Sequence, residues 1–432
     1  MINRPLNRHD YRTLALAALG GALEFYDFVI YVFLAPVIGR LFFPADMPDW
    51  LRLLQTFGIF SAGYLARPLG GILIAHFGDL LGRKRMFSLS IFLMAAPTLA
   101  IGLLPTYVSI GIAAPLLLLL MRILQGVAIG GEVPGAWVFI AEHVPAQRFG
   151  FGIGTLTAGL TIGILLGSLL AGAINSIYSP DEVAAFAWRI PFIAGGLFGF
   201  VSVYLRRFLE ETPVFQELKA RRALAREVPI KAVLRDHRGE ALLALALTWV
   251  LTAAIVVLIL FTPAYLQQIH HVAAPLALRA NSLATLTFAL GCLFFGWASD
   301  RFGTRTTMIV GFGGLLASSY LFYSSLPDSV TVLNLTYSLA GFFVGAATTV
   351  PIVALRLFPA PVRFSGLSFS YNVSYAIFGG LTPILLTIWL RSTPMAPAYY
   401  VGGLGILGMV LALSRRVIAN DSTTNSRYGA RL

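Results

Sequence analysis

Apolar stretches long enough to cross a bilayer recur from one end of this chain to the other, and no other feature constrains its fold as strongly. Twelve are counted, at roughly Leu14 to Val37, Leu53 to Phe77, Met86 to Leu104, Ile112 to Ile140, Phe151 to Ile177, Trp188 to Leu205, Ala241 to Leu266, Ser282 to Ala298, Thr306 to Leu326, Val332 to Leu355, Gly366 to Leu390 and Tyr399 to Leu413. Each is near the ~20 residues that carry a helix across ~30 Å of hydrocarbon. Of the 432 residues, 57% are hydrophobic and 12% charged, against about a quarter charged in a soluble domain. The expected fold class is an all-α polytopic membrane protein with twelve transmembrane helices.

A net charge of +12 would suit a nucleic-acid binder, but the placement of the basic residues excludes that partner and points to the lipid bilayer. With both termini in the cytoplasm, 24 of the 31 Lys and Arg fall in inner segments. Five lie outside (Arg40, Arg52, Arg189, Arg279, Arg391), and Arg67 and Arg122 lie within spans. That bias is the positive-inside pattern. The single cysteine, Cys292, sits in an apolar stretch and forms no disulfide within the chain. The polar start "MINRPLNRHDYR" leads into the long apolar span from Leu14 to Val37, which reads as a first helix rather than a cleaved signal.

The longest polar stretch, Arg206 to Glu240, separates six spans from six. The expected division is a first six-helix bundle over 1–209, a cytoplasmic connector over 210–240, a second bundle over 241–415 and a cytoplasmic tail over 416–432. Two motifs support a repeat. "GDLLGRKR", with Asp79, follows the second span, and "SDRFGTR", with Asp300, follows the eighth. "PAQRF", with Arg148, follows the fourth span, and "PAPVRF", with Arg363, follows the tenth. The step along the chain from Asp79 to Asp300 is nearly the same as the step from Arg148 to Arg363. Two motifs at nearly one offset describe a parallel repeat of six helices, an architecture in which two halves rock about a midplane site.

The segment "GALEFYDF" places Glu24 and Asp27 inside a stretch with no other charge. An ionised Asp at the centre of a spanning helix costs ~2.5 to 3.5 kcal/mol on insertion scales, so both acids need a partner, a wet cavity or a proton. Gly20, Glu24, Asp27 and Tyr31 share one helical stripe, which is expected to point inward with Tyr31 within reach of a carboxylate. In the fourth span Arg122, Gln125, Ile129, Glu132 and Ala136 share a face, and the second span adds Arg67. Three acids against two arginines leave one negative charge, which a proton can fill. Asp27, with Glu24 or Glu132 beside it, is therefore the expected proton-coupling group. Arg122 or Arg67 is expected either to pair with it or to hold an anionic substrate group, with Tyr31 and Gln125 nearby. Static ion pairs that fix helix packing are the alternative. The second-half spans carry no charge, Arg391 standing at a span end. Their contribution to a central site is neutral, from Asn334, Tyr337, Thr348, Tyr371, Asn372 and Tyr375.

In sequence order, the chain carries "GALEFYDFVIY", "RPLGG", "GDLLGRKR", "RILQGVAIGGE", "WRIPF", "ETPVF" and "LFPAPVRFSGLSFSYN" with "FGG". In these it resembles the major facilitator superfamily over nearly its whole length, and within it the metabolite:proton symporters of 2-oxoglutarate, citrate, shikimate, proline and betaine. The resemblance implies two pseudo-symmetric six-helix bundles and proton-coupled import of a small carboxylate-bearing or zwitterionic metabolite by alternating access. It also implies a bacterial inner membrane, a monomeric unit, no cofactor beyond the proton and no metal. Tyr371 and Asn372 match the family's "YN" pair, which marks them for substrate binding. The loop motifs are implied to be a cytoplasmic gate, formed by Asp79, Arg83 and Arg85 and by Asp300, Arg301 and Arg305. The first copy departs from the pattern at Ala75 and Leu80. Pro134 stands where the family tends to have Gly.

Gly159, Gly163 and Gly167 form a GxxxGxxxG row suited to close helix approach. Ile164 follows Gly163, where proton antiporters of the superfamily usually carry a Gly-Pro step, so import is favoured over an efflux antiporter. An intramembrane enzyme is the alternative from another class, but HExxH and GxSxG are absent from the sequence.

Overall fold

The computed structural model describes residues 8–81, 83–130, 132–206, 229–326, 329–359, 362–414 and 417. Twelve helical spans follow one another, labelled α1 to α12. In the first half these are α1 (Arg8–Phe33, continued by Ala35–Phe42), α2 (Asp49–Leu81), α3 (Arg83–Leu103), α4 (Ala113–Ile129 with Glu132–His143), α5 (Phe149–Ile177) and α6 (Arg189–Arg206). The second half holds α7 (Arg238–Ile255 with Thr262–Gln268), α8 (Ala274–Phe302), α9 (Thr304–Ser324), α10 (Val330–Val344 with Thr349–Leu357), α11 (Arg363–Ser374 with Gly380–Trp389) and α12 (Ala396–Ala412). Among the described residues seven helices are long and apolar enough to cross a membrane by length and composition, and two bent pairs, in α1 and before α6, bring that to nine. The apolar parts of α3 and α12 are shorter. The remaining span, α2, is a 33-residue helix that carries Asp49, Arg52, Arg67 and Asp79.

Packing repeats between the halves. In the first, α1 packs on α5, α2 on α4 and α3 on α6; in the second, α7 packs on α11, α8 on α10 and α9 on α12. The halves meet where α5 lies along α8 and where α2 lies along α11. Small residues decide how closely these pairs approach. A Cβ on Gly126 would strike the Gly63 carbonyl, and one on Gly341 would strike the Ala284 carbonyl. Likewise Gly70 abuts Val127, and Gly291 abuts Phe342. The spacing is that of the loop motifs, for Gly291 follows Gly70 by the same step as Asp300 follows Asp79, and Gly341 follows Gly126 by the same step as Arg363 follows Arg148. The expected glycine row of α5 is also in place, with Gly159 against Ala18 and Gly163 against Ala22 of α1.

Two spans carry a π-helical segment in the middle. α7 contains a π-helical segment, Val256–Phe261, and α11 contains another, Tyr375–Gly379. Each such segment inserts an extra residue into the helical turn, and in soluble and membrane proteins alike they gather at functional sites. Tyr375 is presented to the centre of the molecule from the second of them.

The expected connector falls largely on residues outside those described, so its boundaries stand as proposed.

Candidate functional site

Residues Phe57, Phe60, Tyr64 and Arg67 follow one another at helical spacing along α2 and are all buried. This stripe forms one wall of a mid-membrane layer shared by both halves. On its first-half side lies Arg122 of α4, fully buried, with its guanidinium carbon 4.3 Å from the centroid of the Phe28 ring, 4.7 Å from Tyr31 and 5.2 Å from Phe60. Its Nη1 donates to the Phe28 carbonyl at 3.1 Å and to Gln125 Oε1 at 2.7 Å. The Gln125 amide in turn donates to Thr98 Oγ1 of α3 at 2.7 Å. Arg122 Nε and Nη2 have no hydrogen-bond partner among the described residues.

Arg67, 1% exposed, occupies the side facing the second half. Its guanidinium carbon lies 4.5 Å from the Tyr375 ring centroid, 5.2 Å from Tyr371 and 5.5 Å from Tyr64. Its Nε and Nη2 are also without a partner among the described residues. Rings link the two arginines, since Tyr64 packs on Phe28 at 4.9 Å, on Phe60 at 4.8 Å and on Tyr375 at 5.6 Å. Both cations are thus held by aromatic faces rather than by described carboxylates, an arrangement worth ~0.5–2 kcal/mol per contact when desolvated.

Asp27 is buried at 3% exposure, and Oδ1 has no hydrogen-bond partner among the described residues. Its carboxylate points into the first bundle, toward α6. A Cβ on Gly195 would meet Asp27 Oδ1 at 2.5 Å, and one on Gly199 would meet Oδ2 at 3.4 Å, so two glycines make its room. The same point beside Gly195 lies 3.2 Å from Thr98 Cγ2, which puts Asp27 next to the residue that ends the Arg122–Gln125–Thr98 chain.

One expected alternative is not met here, and one expectation is corrected. Asp27 forms no ion pair with Arg67 or Arg122, because it faces Gly195 and Gly199 of α6, while Arg67 is turned to the second-half rings and Arg122 to Phe28, Tyr31 and Phe60. The Tyr31 hydroxyl does not reach a described carboxylate; it donates to the Thr56 carbonyl at 3.0 Å, and its ring covers Arg122. Tyr371 and Asn372 do lie at the centre. Tyr371 covers Arg67 and meets the Trp137 ring edge-on at 5.1 Å, and the Asn372 amide donates to the Gly130 carbonyl across the halves. The side chains of Glu24, Glu132, Asp79, Arg83 and Arg85 lie outside the described residues. Sequence reasoning missed Phe60, Tyr64, Thr98 and Trp137. The 57, 60, 64, 67 spacing of α2 was the signal that would have found the first two.

Of the other second-half candidates, Tyr337 is committed to its own bundle. Its hydroxyl lies 2.5 Å from the Leu258 carbonyl oxygen and 2.6 Å from Asn281 Oδ1. Asn334 Oδ1 and Thr348 Oγ1 are buried without a hydrogen-bond partner among the described residues.

The halves touch on both sides of the layer. At the end that carries Arg148, Arg301 and Arg363, Asp300 Oδ1 accepts from Gly150 N at 2.7 Å and Oδ2 from Phe151 N at 2.8 Å. A carboxylate of the second half therefore caps the first turn of α5, where unpaired N–H groups and the helix dipole favour an anion. Arg301 is exposed and Arg305 half-buried beside it. At the opposite end Phe57 packs on Phe261 at 5.3 Å, the Arg391 guanidinium lies 4.3 Å from the Trp50 ring, and Ser168 Oγ accepts from Asn281 Nδ2 at 3.0 Å. His270, in the loop there, sits 2.8 Å from the Tyr265 hydroxyl, and burial, with His271 adding to it, holds its pKa below the usual imidazole value.

A model of the Major Facilitator Superfamily matches residues 17–383. The chain belongs to the Major Facilitator Superfamily. Among superfamily members it is 32% identical over 429 residues to the proline/betaine transporter of Salmonella typhimurium (strain LT2), covering 95% of this chain and 84% of that one. It is 31% identical over 440 residues to the glycine betaine/proline/ectoine/pipecolic acid transporter OusA of Dickeya dadantii (strain 3937), covering 95% and 84%. The xylose transporter XylE from E. coli, in a partially occluded inward-open conformation, has the same fold, with a TM-score of 0.74 at 16% identity over 94% of this chain and 97% of that one. As a member of the superfamily this protein is a multi-pass membrane transporter, with the two-bundle fold the repeat describes. Its relatives are named as transporters and not as enzymes.

Proposed function

We propose that this protein imports a small carboxylate-bearing or zwitterionic metabolite across the bacterial inner membrane, driven by protons, by alternating access. One observation carries the reading. Arg67, against second-half rings, and Arg122, against first-half rings, are both buried, and each keeps two guanidinium nitrogens without a partner among the described residues. An unpaired buried donor on a cation is costly, and a substrate carboxylate is the natural acceptor for a planar fork of this kind. The names of the relatives, which carry proline and betaine, favour the zwitterionic end of the class.

For coupling, Asp27 is the proposed proton carrier. As a carboxylate with an unpartnered oxygen and no ion pair among the described residues, it changes from anion to neutral acid at small structural cost, and Thr98 and Gln125 lie between it and Arg122. Proton and substrate thus meet the same arginine from opposite sides. Positive-inside placement makes the Asp300 end cytoplasmic, so the Asp300 cap on α5 is proposed to close that side and to break when the site opens inward. Asp79, Arg83, Arg85, Arg301 and Arg305 are proposed to belong to the same gate. Glu24 and Glu132 are proposed as further members of the proton site, and Gln125, Tyr31, Tyr371 and Asn372 as further members of the substrate site. No cofactor is required, and one chain is proposed to transport alone.

The test is uptake into proteoliposomes with and without an inward proton gradient. Asp27→Asn is expected to abolish gradient-driven accumulation while leaving exchange of substrate across the membrane within several-fold of the parent. Accumulation that survives the substitution would end the coupling role of Asp27.

A further inference from the structure

The guanidinium of Arg67 sits in a box whose walls come from both halves, Tyr64 from α2 and Tyr371 and Tyr375 from α11. Around the box stand polar atoms that the described fold leaves unused. Trp137 Nε1, beside Tyr371, is buried without a partner, and so is Thr252 Oγ1 of α7. Thr252 belongs to the same spot, since a Cβ on Gly379 would lie 3.0 Å from its methyl carbon, 3.2 Å from the Tyr375 ring and 3.6 Å from the Tyr64 ring. Arg67 has no described carboxylate partner, so among the described residues ring faces hold its charge.

Ring faces attract a cation through their quadrupole and make no demand on its hydrogen-bonding pattern. A guanidinium and an alkylated ammonium therefore suit the same three tyrosines. What differs is the rest of each group. A guanidinium in the box leaves two of its donor nitrogens, Nε and Nη2, idle, whereas an alkylated ammonium has little or nothing to donate and loses nothing there. If a substrate carried only a carboxylate, turning Arg67 toward it would leave the rings facing no cation. A zwitterion replaces the cation it draws away.

We propose that the Tyr64, Tyr371 and Tyr375 box is the onium seat of a zwitterionic substrate. The alkylated ammonium takes the ring faces on which Arg67 rests in this structure, and the substrate carboxylate takes Arg67 Nε and Nη2. The inference rests on the reading above that a buried arginine receives a carboxylate, and it narrows that reading to betaine-like zwitterions. Because the box exists only when α2 and α11 meet, binding and closure of the halves are one event.

The experiment compares two probes of equal shape on the full-length protein in lipid nanodiscs, by calorimetry. Glycine betaine carries the trimethylammonium group, and 3,3-dimethylbutanoate replaces it with a neutral tert-butyl group on the same carboxylate. The expected result is about tenfold tighter binding of the betaine, which corresponds to ~1.4 kcal/mol. Tyr375→Leu should erase most of that difference by weakening the betaine alone, and Tyr375→Phe, which keeps the ring, should lose less. Equal binding of both probes by the parent protein overturns the proposal without reference to any variant. So does a Tyr375→Leu variant that weakens both probes alike. Preference for succinate over both probes also overturns it, yet leaves the carboxylate reading standing, whereas failure of all three to bind brings down both.

Discussion

Arg122 and Tyr337 occupy matching places in the two halves, separated by the same step along the chain as Arg148 and Arg363, and they meet one structural demand with different chemistry. Arg122 reaches from α4 to the Phe28 carbonyl of α1, and Tyr337 reaches from α10 to the Leu258 carbonyl of α7. A second pair behaves the same way, for Arg67 is matched by Phe288, at the step that separates Asp79 from Asp300, and Phe288 is also buried. The backbone contacts around them are shared, since the Gly126–Gly63 approach is repeated by Gly341 and Ala284. Duplication has kept the close helix crossings and changed the groups they present. Tyr337 spends its one hydroxyl on acceptors inside its own bundle, whereas Arg122 keeps two donor nitrogens in reserve. Unspent donors on a buried cation mark a place where something else binds, and here both such cations, Arg67 and Arg122, lie on the first half. The second half contributes rings and neutral walls.

The comparison breaks first at Arg122. Arg122→Tyr makes the first half resemble the second, and is expected to cut the initial rate of uptake about a hundredfold or more, the equivalent of ~3 kcal/mol. The variant should still elute as a single species on gel filtration, and near-normal uptake from it would show that charge at this place is dispensable. Next come the shared crossings. Gly126→Ala and Gly341→Ala should each destabilise the protein by ~1–3 kcal/mol, the usual cost of overpacking, read as matched falls in thermal unfolding temperature. A fall at one glycine only would mean that the repeat is not equally tight in both halves.

Tyr337→Phe sharpens the contrast from the other side. Loss of one hydroxyl facing two acceptors should cost ~1–3 kcal/mol of stability with uptake kept within a few-fold, because the hydroxyl serves its own bundle. Smallest of all is Asp300→Asn. Removing the negative charge at the start of α5 should cost ~0.3–1 kcal/mol. It should also make a cysteine placed on the facing side of the Asp300 end, proposed above to be cytoplasmic, react faster with a membrane-impermeant maleimide in inverted vesicles. Unchanged labelling would remove Asp300 from the gate.

Much of this was legible in the residues. The apolar stretches, the two nearly equal offsets between the loop motifs and the glycine row of α5 all describe features set by local composition, and the helices and crossings follow them. Arg67, Arg122 and Gln125 stood out because charged or amide side chains inside apolar spans are few, and Tyr371 and Asn372 because they match the family's "YN" pair. Asp27 stood out as well and points inward as expected, but its neighbours were misread. Helical periodicity separates lipid from protein, and α1 has protein on two sides, its own bundle and the opposing half. Phe28 and Tyr31 took the second side, and Asp27 the first, against Gly195 and Gly199. Tyr371 and Tyr375 were named as neutral members of the central site, but that they close a cage on Arg67 with Tyr64 was not legible, since Tyr64 comes from the other half of the chain and alone reads as ordinary packing.

By itself the sequence determined how many times the chain crosses the membrane, that it does so as a duplicated unit, and which few charges stay inside. Those properties follow from the cost of placing polar groups in hydrocarbon, which each segment meets on its own. Only the tertiary structure decided that both arginines rest on aromatic rings instead of on Asp27, and that Asp27 is turned away from them. Those outcomes depend on which helix faces fill the space between two packed bundles, and close packing settles that for the whole assembly at once.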